Sequence, residues 1–274
     1  MTYGKPGVRS PGLADSFSFV DFIGQSLAIG EAELKKLLRD PTELFSRAVQ
    51  PILWLVVFGQ VFSRVRGIPT GNLSYLAFMC PGILAQSVLF SAIFYGIAVI
   101  WERDLGIVHK LLVSPSYRGA LVFGKAISAG FRGLIQALII YAIAYLMRIE
   151  TNSSPLAILG VLLAVVLGSA IFSTFSLIIA CIVKTRERFM GIGQVLTMPL
   201  FFASNAIYPL ELMPGWLLIF ARVNPLTYLV DILRGLMIQG GHSTNGFAFN
   251  VVVLGLSYVV MVTIASKLYP TLIQ

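Results

Sequence analysis

One stretch of the sequence has the spacing of a phosphate-binding loop. Gly119, Gly124 and Lys125 stand where the P-loop pattern places the residues that cradle phosphates. The pattern next requires Ser or Thr to hold magnesium, and Ala126 stands there instead. A P-loop also follows a β-strand, whereas this stretch begins a long apolar run. We therefore expect no nucleotide site in this chain.

Other residues that could carry out chemistry are sparse. His109 and His242 lie in connections that the predicted topology places on opposite sides of the membrane, so one chain cannot combine them in a metal site or dyad. Cys80 and Cys181 lie inside apolar runs, which favours two small buried hydrophobic side chains over a disulfide. We expect no catalytic residue, no metal ligand and no cofactor in this chain, which is not an enzyme by this interpretation.

The composition indicates which elements must carry the function. Of the 274 residues, 57% are hydrophobic and only 12% are charged, with a mean hydropathy of +0.86. Soluble domains carry about twice that share of charge. Residues 67–101 contain no Asp, Glu, Lys or Arg. These values predict a polytopic membrane protein, so the net charge of +8 is interpreted as a topology signal, not as nucleic-acid binding.

Uncharged runs predict six transmembrane helices. A helix needs about 20 residues to cross the hydrocarbon core of a bilayer. Four runs are long enough alone, and two are extended by flanking residues, including Lys125 and Arg132, which can snorkel or face a partner helix. The predicted spans cover residues about 43–63, 73–101, 119–147, 155–183, 189–208 and 247–266.

The distribution of Lys and Arg predicts the orientation. With a cytoplasmic N-terminus, 14 of the 20 basic residues lie inside, five lie outside and Arg132 lies within a span. The positive-inside bias then places both termini in the cytoplasm of a multi-pass protein of the cell (plasma or inner) membrane. Residues 1–16 and 267–274 are predicted tails. Because ionisable groups are nearly absent from the spans, an ion-coupled carrier is disfavoured, and transport would take its energy from a partner.

Two short segments on the predicted cytoplasmic side are amphipathic. Residues 17–39 indicate a helix lying in the membrane interface, or else a solvated helix packed on a soluble partner, because its polar face mixes acidic and basic side chains. Residues 102–113 indicate a helix that inserts into a groove of another protein, although a plain helical loop fits equally well. The apolar residues of this segment recur at helical spacing, and they are Leu105, Val108, Leu111 and Leu112.

The connection before the last span is too apolar for a solvated loop. Pro214 and Asn224 with Pro225 divide residues 209–238 into two helices too short to cross a bilayer. We expect a re-entrant hairpin in the outer leaflet. Asp231 and Arg234 are expected to form an ion pair there. A structural role for this pair, holding the hairpin together, is favoured over a contact with substrate.

Two sets of side chains within the spans suit either packing or a transport path. Ser169, Ser173, Ser176 and Ala180 form a small-residue stripe that predicts close helix packing, within the chain or across a dimer. Aromatic residues of spans one, two and five are candidates for a substrate path, although such residues more often belong to a core. They are Phe58, Phe90, Phe94, Phe201 and Phe202.

The whole chain resembles the permeases of type 2 ABC transporters, in the daunorubicin-exporter-like branch. The matching residues are Leu34 to Pro41, Pro81 with Gly82, Glu102, Arg103, Gly106, Ser114 with Pro115, and above all Asn224, Pro225, Leu226, Thr227 and Tyr228 followed by Asp231 and Arg234. The resemblance implies an all-α transmembrane domain over residues 17–266. It would have six transmembrane helices, an N-terminal interfacial helix at 17–39, a coupling helix at 102–113 and a re-entrant hairpin at 209–238.

The resemblance also implies partners and a mechanism. Two permease copies, expected as a homodimer, would stand above two ABC ATPase subunits that bind ATP and Mg²⁺. Closure of the ATPases would move the coupling helices, and a hydrophobic, drug-like or lipid-linked molecule would be exported by alternating access. The residues expected to transmit this motion are Glu102, Arg103, Leu105, Val108, Leu111 and Leu112. The alternatives are a lipid-linked polysaccharide exporter of the same fold and a membrane scaffold that transports nothing.

Overall fold

The computed structural model describes residues 49–64, 70–71, 73–106, 118–183 and 185–269, together with Gly24, Glu31 and Lys35. The regular elements in these ranges are helices, and an isolated bridge joins Thr151 to Ile238. The predicted all-α fold is confirmed. The described helices are α1 Val49–Phe62, α2 Tyr75–Asp104, α3 Arg118–Leu146, α4 Pro155–Ile182, α5 Arg186–Phe202, α6 Gly215–Val223, α7 Pro225–Met237 and α8 Phe247–Leu268.

Four of these helices, α2, α3, α4 and α8, are long and apolar enough to cross a membrane. The pair α6 and α7 is bent by 79° at Asn224, so it forms either a fifth, broken span or a re-entrant loop. The described part of α1 is shorter than a span, and α5 has 17 residues, where about 20 are needed. The structure therefore confirms a multi-pass membrane protein, whereas six spans remain a prediction.

Side-chain caps and prolines set several helix boundaries. The Ser74 hydroxyl accepts a hydrogen bond from the Ala77 N–H at 3.2 Å and begins α2, and the Thr185 hydroxyl begins α5 in the same way. Because of the Thr185 cap, α5 starts at Arg186 and not at the predicted residue 189. It ends at Phe202, before the predicted residue 208, since the chain turns over residues 203–206.

The centre of the bundle is formed by α2 and α4. Helix α4 packs against α2, α3, α7 and α8, and α2 also contacts α3, α5 and α7. In the most apolar window of α2, 76% is buried inside the chain, compared with 11% in α8. Helix α8 therefore lies at the periphery, with most of its apolar surface available to lipid or to another subunit.

Small residues let the central helices approach closely. A Cβ atom on Gly133 of α3 would lie 2.2 Å from the Ser169 Oγ of α4. The Gly96 N–H of α2 donates to the Ser176 Oγ at 3.0 Å, which joins α2 to α4. Close packing by the Ser169 and Ser176 stripe is thus confirmed, and it occurs within the chain.

The predicted terminal segments are only partly covered by the described residues. In the interfacial helix, Gly24, Glu31 and Lys35 are helical, and the exposed Lys35 Nζ lies 2.7 Å from the Glu31 Oε1. The rest of residues 17–39 and the tail 1–16 lie outside the described residues. The predicted tail at 267–274 begins too early, because α8 continues to Leu268 and Tyr269 is buried.

Candidate functional site

A buried ion pair joins α2 to α3 at the end of the bundle that is predicted to be cytoplasmic. The Lys125 Nζ lies 2.6 Å from the Glu102 Oε2, and the two side chains are only 5% and 10% exposed. Two charges so far from solvent persist only when each compensates the other. The last turn of α2 is therefore fixed to the first turns of α3. Lys125 also belongs to the P-loop-like stretch, which here is continuous helix.

Asp104 connects the same end of α2 to α5. Its carboxylate lies 2.9 Å from the Arg186 Nη2 and 2.9 Å from the Arg103 Nη2. The Arg186 guanidinium also lies over the Trp101 ring, 4.1 Å from its centroid, where a cation–π interaction adds attraction. The start of α5 thus rests on the last turn of α2, so the two helix ends should move together.

Two of the predicted coupling residues belong to α2 and not to a separate helix. Glu102 and Arg103 lie in its last turn, which ends at Asp104. The Gly106 N–H returns to the Arg103 carbonyl, and Gly106 has a φ of +71°, which glycine adopts readily. The predicted coupling helix therefore does not begin at residue 102. Leu105 follows α2 with 67% of its surface exposed. Val108, Leu111 and Leu112 lie outside the described residues.

The two predicted short helices before the last span are present as α6 and α7. The Asn224 Oδ1 caps α7 by accepting from the Leu226 N–H at 3.0 Å, and Pro225 occupies the first position. The Asn224 amide also donates to the carbonyls of Leu200 and Ala203 at the end of α5. Asn224 therefore both starts α7 and attaches the bend to α5.

The predicted ion pair between Asp231 and Arg234 is wrong, because the two side chains bind different partners. Arg234 donates to the carbonyl of Asn205 at 2.6 Å and lies 3.8 Å from the centroid of the Phe78 ring. The Asn205 carbonyl lies in the turn after α5, where a buried carbonyl needs a hydrogen-bond donor from elsewhere in the chain. Arg234 therefore joins α7 to α2 and to the turn after α5, not to its neighbour on α7.

Asp231 is fully buried and attaches α7 to the start of α8. Its carboxylate accepts hydrogen bonds from the N–H groups of Thr244 and Asn245, from the Ser243 hydroxyl and from the Asn250 amide, at 2.7 to 3.0 Å. The sequence signal for this network is the polar run of Ser243, Thr244 and Asn245 between two apolar helices, and its spacing alone does not connect it to Asp231. Both charged residues of the motif are structural in this conformation.

An open cavity of about 540 Å³ lies between α1 and α2, and we name it the inner cleft. It extends from the middle of α2 toward Trp101, hence toward the predicted cytoplasmic side. The spacing of residues in the sequence does not identify its uncharged polar residues as a site, although a side-chain amide inside an apolar run is a signal of a polar site within the membrane. The residues that define the cleft here are Gln50, Gln86, Ser87, Phe90, Phe94 and Trp101.

A second cavity, of about 670 Å³, is lined almost entirely by apolar side chains. It lies between α4, α5, α6 and α8, and Phe202, Trp216 and Phe220 contribute to its walls. We name it the apolar groove. It is open to the side of the bundle, as expected of a surface that faces lipid or a second subunit.

The five aromatic residues predicted to line a path do not share one cavity. Phe90 and Phe94 lie in the inner cleft with their ring centroids 6.3 Å apart. Phe202 lies in the apolar groove, and Phe58 is exposed on α1. Phe201 is fully buried, with its ring centroid 5.6 Å from that of Trp54. Tertiary packing thus separates residues that composition alone grouped together.

Side chains of the types that can bind metals lie apart from one another in the part of the chain that the structure describes. Across these residues, no three of the His, Cys, Asp or Glu side chains lie close enough together to hold an ion. Cys80 and Cys181 are both buried free thiols. The chemistry that the described residues supply is hydrogen bonding, ion pairing and apolar contact.

Sequence comparisons relate this arrangement to known transport proteins. Residues 24–238 match the sequence model of the family described as "ABC-2 type transporter". The ycf38 protein of Cyanophora paradoxa, which is named as a transport permease, is 31% identical over 78% of this chain and 74% of its own. The DrrB1 protein of Streptomyces coeruleorubidus, named as a daunorubicin resistance ABC transporter permease, is 23% identical over 76% of this chain and 71% of its own.

Proposed function

The chain belongs to the ABC-2 type transporter family, and from this membership we propose that it is the membrane-spanning permease subunit of an ATP-driven exporter. A transport permease role follows from the family and from the similarity to permeases named for drug resistance. Outward transport of a hydrophobic, drug-like or lipid-linked molecule by alternating access is our proposal. The observation that carries it is the family match over residues 24–238 of a chain built from apolar helices.

We propose that ATP is hydrolysed by a separate ABC ATPase subunit, the kind of partner with which permeases of this family work. The ATPase would bind the ATP and Mg²⁺, and this chain would contribute no catalytic group. Leu105 supports a docking surface, because it is an exposed apolar side chain just beyond the buried pair of Glu102 and Lys125. Displacement of that surface would act on α2 directly, on α3 through Glu102 and Lys125, and on α5 through Asp104 and Arg186.

The proposed assembly contains two copies of the permease, as a homodimer. Apolar side chains of α1, α5 and α8 are exposed on the single chain, among them Val57, Val195 and Val252. These surfaces can be covered by lipid or by a second copy, and the transport path would then lie between the two copies. In the proposed orientation both termini are in the cytoplasm of a cell (plasma or inner) membrane, and the end containing Leu105 faces the ATPase.

Copurification tests the proposed ATPase contact. Leu105→Asp should prevent an ABC ATPase from copurifying with the permease in mild detergent, because a carboxylate replaces the exposed apolar contact. Leu212→Asp is the matched control, since Leu212 is also an exposed leucine but lies at the opposite end of the bundle. Retention of the ATPase by Leu105→Asp would contradict docking at this end.

A transport measurement tests the direction and the energy source. Inside-out vesicles that contain the permease and its ATPase should accumulate an uncharged fluorescent amphipathic probe such as dansyl amide when ATP is supplied. Leu105→Asp should lose this uptake while Leu212→Asp keeps it. If the chain purifies alone and uptake of dansyl amide and of other hydrophobic compounds is unaffected by removal of ATP, the exporter proposal is wrong. A scaffold that transports nothing would show no ATP-dependent uptake, with or without Leu105→Asp.

A further inference from the structure

We propose that the inner cleft binds an uncharged amphipathic molecule whose carbonyl, amide or hydroxyl group hydrogen-bonds to Gln86. This inference rests on the proposed transport function and names the chemistry of the molecule that the permease accepts from the cytoplasmic side. The cleft volume of about 540 Å³ lies in the range of sites for drug-sized ligands. Its lining combines aromatic walls with a few polar groups, the usual composition of such a site.

Gln86 supplies the central observation. It is 2% exposed, and its side-chain Nε2 and Oε1 have no hydrogen-bond partner among the residues that the structure describes. A buried amide without partners is costly, and more so in a membrane, where water does not compensate. Gln86 lines the inner cleft, and both of its polar atoms are screened from solvent in this structure. A molecule in the cleft can supply an acceptor for Nε2 and a donor for Oε1 once the side chain turns toward the cleft.

The neighbouring side chains restrict the class of ligand further. Phe90, Phe94 and Trp101 are aromatic residues that line the inner cleft, and the two phenylalanine ring centroids lie 6.3 Å apart. None of the described residues that line the inner cleft is ionisable, and the nearby acidic groups Glu102 and Asp104 are engaged by Lys125 and by arginines. A formal charge on the ligand would therefore lack an opposite charge, whereas an uncharged polar group would find Gln86.

Ser87 does not offer the same interaction. Its hydroxyl donates to the Ile83 carbonyl of its own helix at 2.8 Å. Gln50, on α1, also lines the inner cleft and adds a second carboxamide. Recognition thus centres on Gln86, with Gln50 as a further polar group from α1.

Energy transfer from Trp101 measures binding in the full-length protein. Trp54→Phe and Trp216→Phe leave Trp101 as the only tryptophan, since the chain contains three. Dansyl amide is an uncharged aromatic probe with a hydrogen-bonding sulfonamide, and pyrene is an aromatic hydrocarbon without one; both accept energy from tryptophan. In nanodiscs, dansyl amide should give saturable transfer, and Gln86→Leu should weaken its binding about fivefold to tenfold while leaving pyrene unchanged.

Two further variants serve as controls. Gln136→Leu also replaces a buried glutamine with leucine, but on α3 outside the inner cleft, and should leave dansyl amide binding unchanged. Ala98→Phe should abolish saturable transfer to both probes, because Ala98 lines the cleft and the larger ring fills it. Thermal unfolding checks folding, and Gln86→Leu should be at least as stable as the parent protein because it removes the unpartnered amide.

Several results would overturn the proposal. Equal affinity for dansyl amide and pyrene, or insensitivity of both to Gln86→Leu, would mean that the cleft accepts apolar chains without polar recognition. Absence of saturable transfer would mean that a second copy or lipid closes the cleft. Since binding is measured without ATP or an ATPase, these failures are distinguishable from a failure of ATP-driven transport in the vesicle measurement.

Discussion

The pair of Glu102 and Lys125 is stabilising only as a pair. Lys125→Met would remove the ammonium group that lies 2.6 Å from the buried Glu102 carboxylate, and we expect a loss of about 3 to 5 kcal/mol of stability. Glu102→Gln should cost a similar amount for the converse reason. The double variant should lose less than the sum of the single losses, because neither charge is then left without the other. Unfolding by heat or denaturant in detergent provides the measurement.

Additive losses in the double variant would show that Glu102 and Lys125 act independently, contrary to their separation of 2.6 Å. Each single variant should also lose ATP-dependent transport, because the contact between α2 and α3 is weakened. If a single variant were as stable as the parent protein and still lost transport, the pair would have a role in transmitting motion and not only in folding.

Gly82 of α2 is required because the backbone of Ala206 lies directly against it. A Cβ atom there would lie 2.2 Å from the carbonyl oxygen of Ala206, and backbone cannot move aside as a side chain can. Gly82→Ala should therefore destabilise the protein by about 1 to 3 kcal/mol, the usual range for overpacking. Gly255→Ala on α8 is the matched control, because no atom would lie within 4 Å of its Cβ. Equal melting temperatures for the two variants would argue against this close approach.

At the scale of elements, α7 depends on two attachments that run in different directions. Asp231 holds it to the start of α8, and Arg234 holds it to α2 and to the turn after α5. The bend of 79° between α6 and α7 is therefore held from both sides, with Asn224 fixed to the end of α5. Held in this way, α7 packs against both α2 and α4.

Replacing Asp231 tests the attachment to α8. Asp231→Asn keeps the shape but turns one acceptor oxygen into a donor that faces existing donors, so we expect a loss of about 1 to 3 kcal/mol. The loop at residues 243–245 should become more accessible to protease or to thiol labelling. Glu211→Gln is the control, because Glu211 is exposed on the short helical turn Leu210–Leu212. Unchanged stability and accessibility in Asp231→Asn would remove Asp231 from this structural role.

The helices differ in how much of their apolar surface other helices cover. Helix α2 is mostly buried inside the bundle, whereas most of the apolar window of α8 is exposed. The apolar residues of the two helices look alike in sequence, because an apolar side chain is equally compatible with lipid and with a neighbouring helix. Only helix packing separates a central helix from a peripheral one.

At the scale of the whole molecule, the topology is open to a direct test. With Cys80 and Cys181 replaced by alanine, Asn245→Cys should react with a membrane-impermeant maleimide in intact cells. Leu105→Cys should react only after permeabilisation, because the positive-inside bias places it in the cytoplasm. Both positions are exposed and lie at opposite ends of the bundle. The reverse labelling pattern would invert the orientation and contradict docking of an ATPase at Leu105.

The sequence by itself determined the class of the protein. Apolar runs, the bias of Lys and Arg, and the motif from Asn224 to Arg234 were sufficient to predict an all-α membrane protein of the ABC-2 type. These signals are local or additive: hydropathy sums over about 20 residues, and a cap such as Asn224 or Ser74 acts within one turn. Local signals of the same kind, Pro214 and Asn224 with Pro225, also predicted α6, α7 and the bend between them.

Only the tertiary structure decided which polar groups meet. The sequence paired Asp231 with Arg234 because they are three residues apart, yet Asp231 binds the chain at 243–250 and Arg234 binds Phe78 and Asn205. Likewise, Lys125 binds Glu102, 23 positions earlier, and Gln86 lines a cleft that α1 completes. In a low-dielectric interior each polar group takes whichever partner packing brings within reach. Spacing along a helix lists the possible partners, and the arrangement of the helices selects among them.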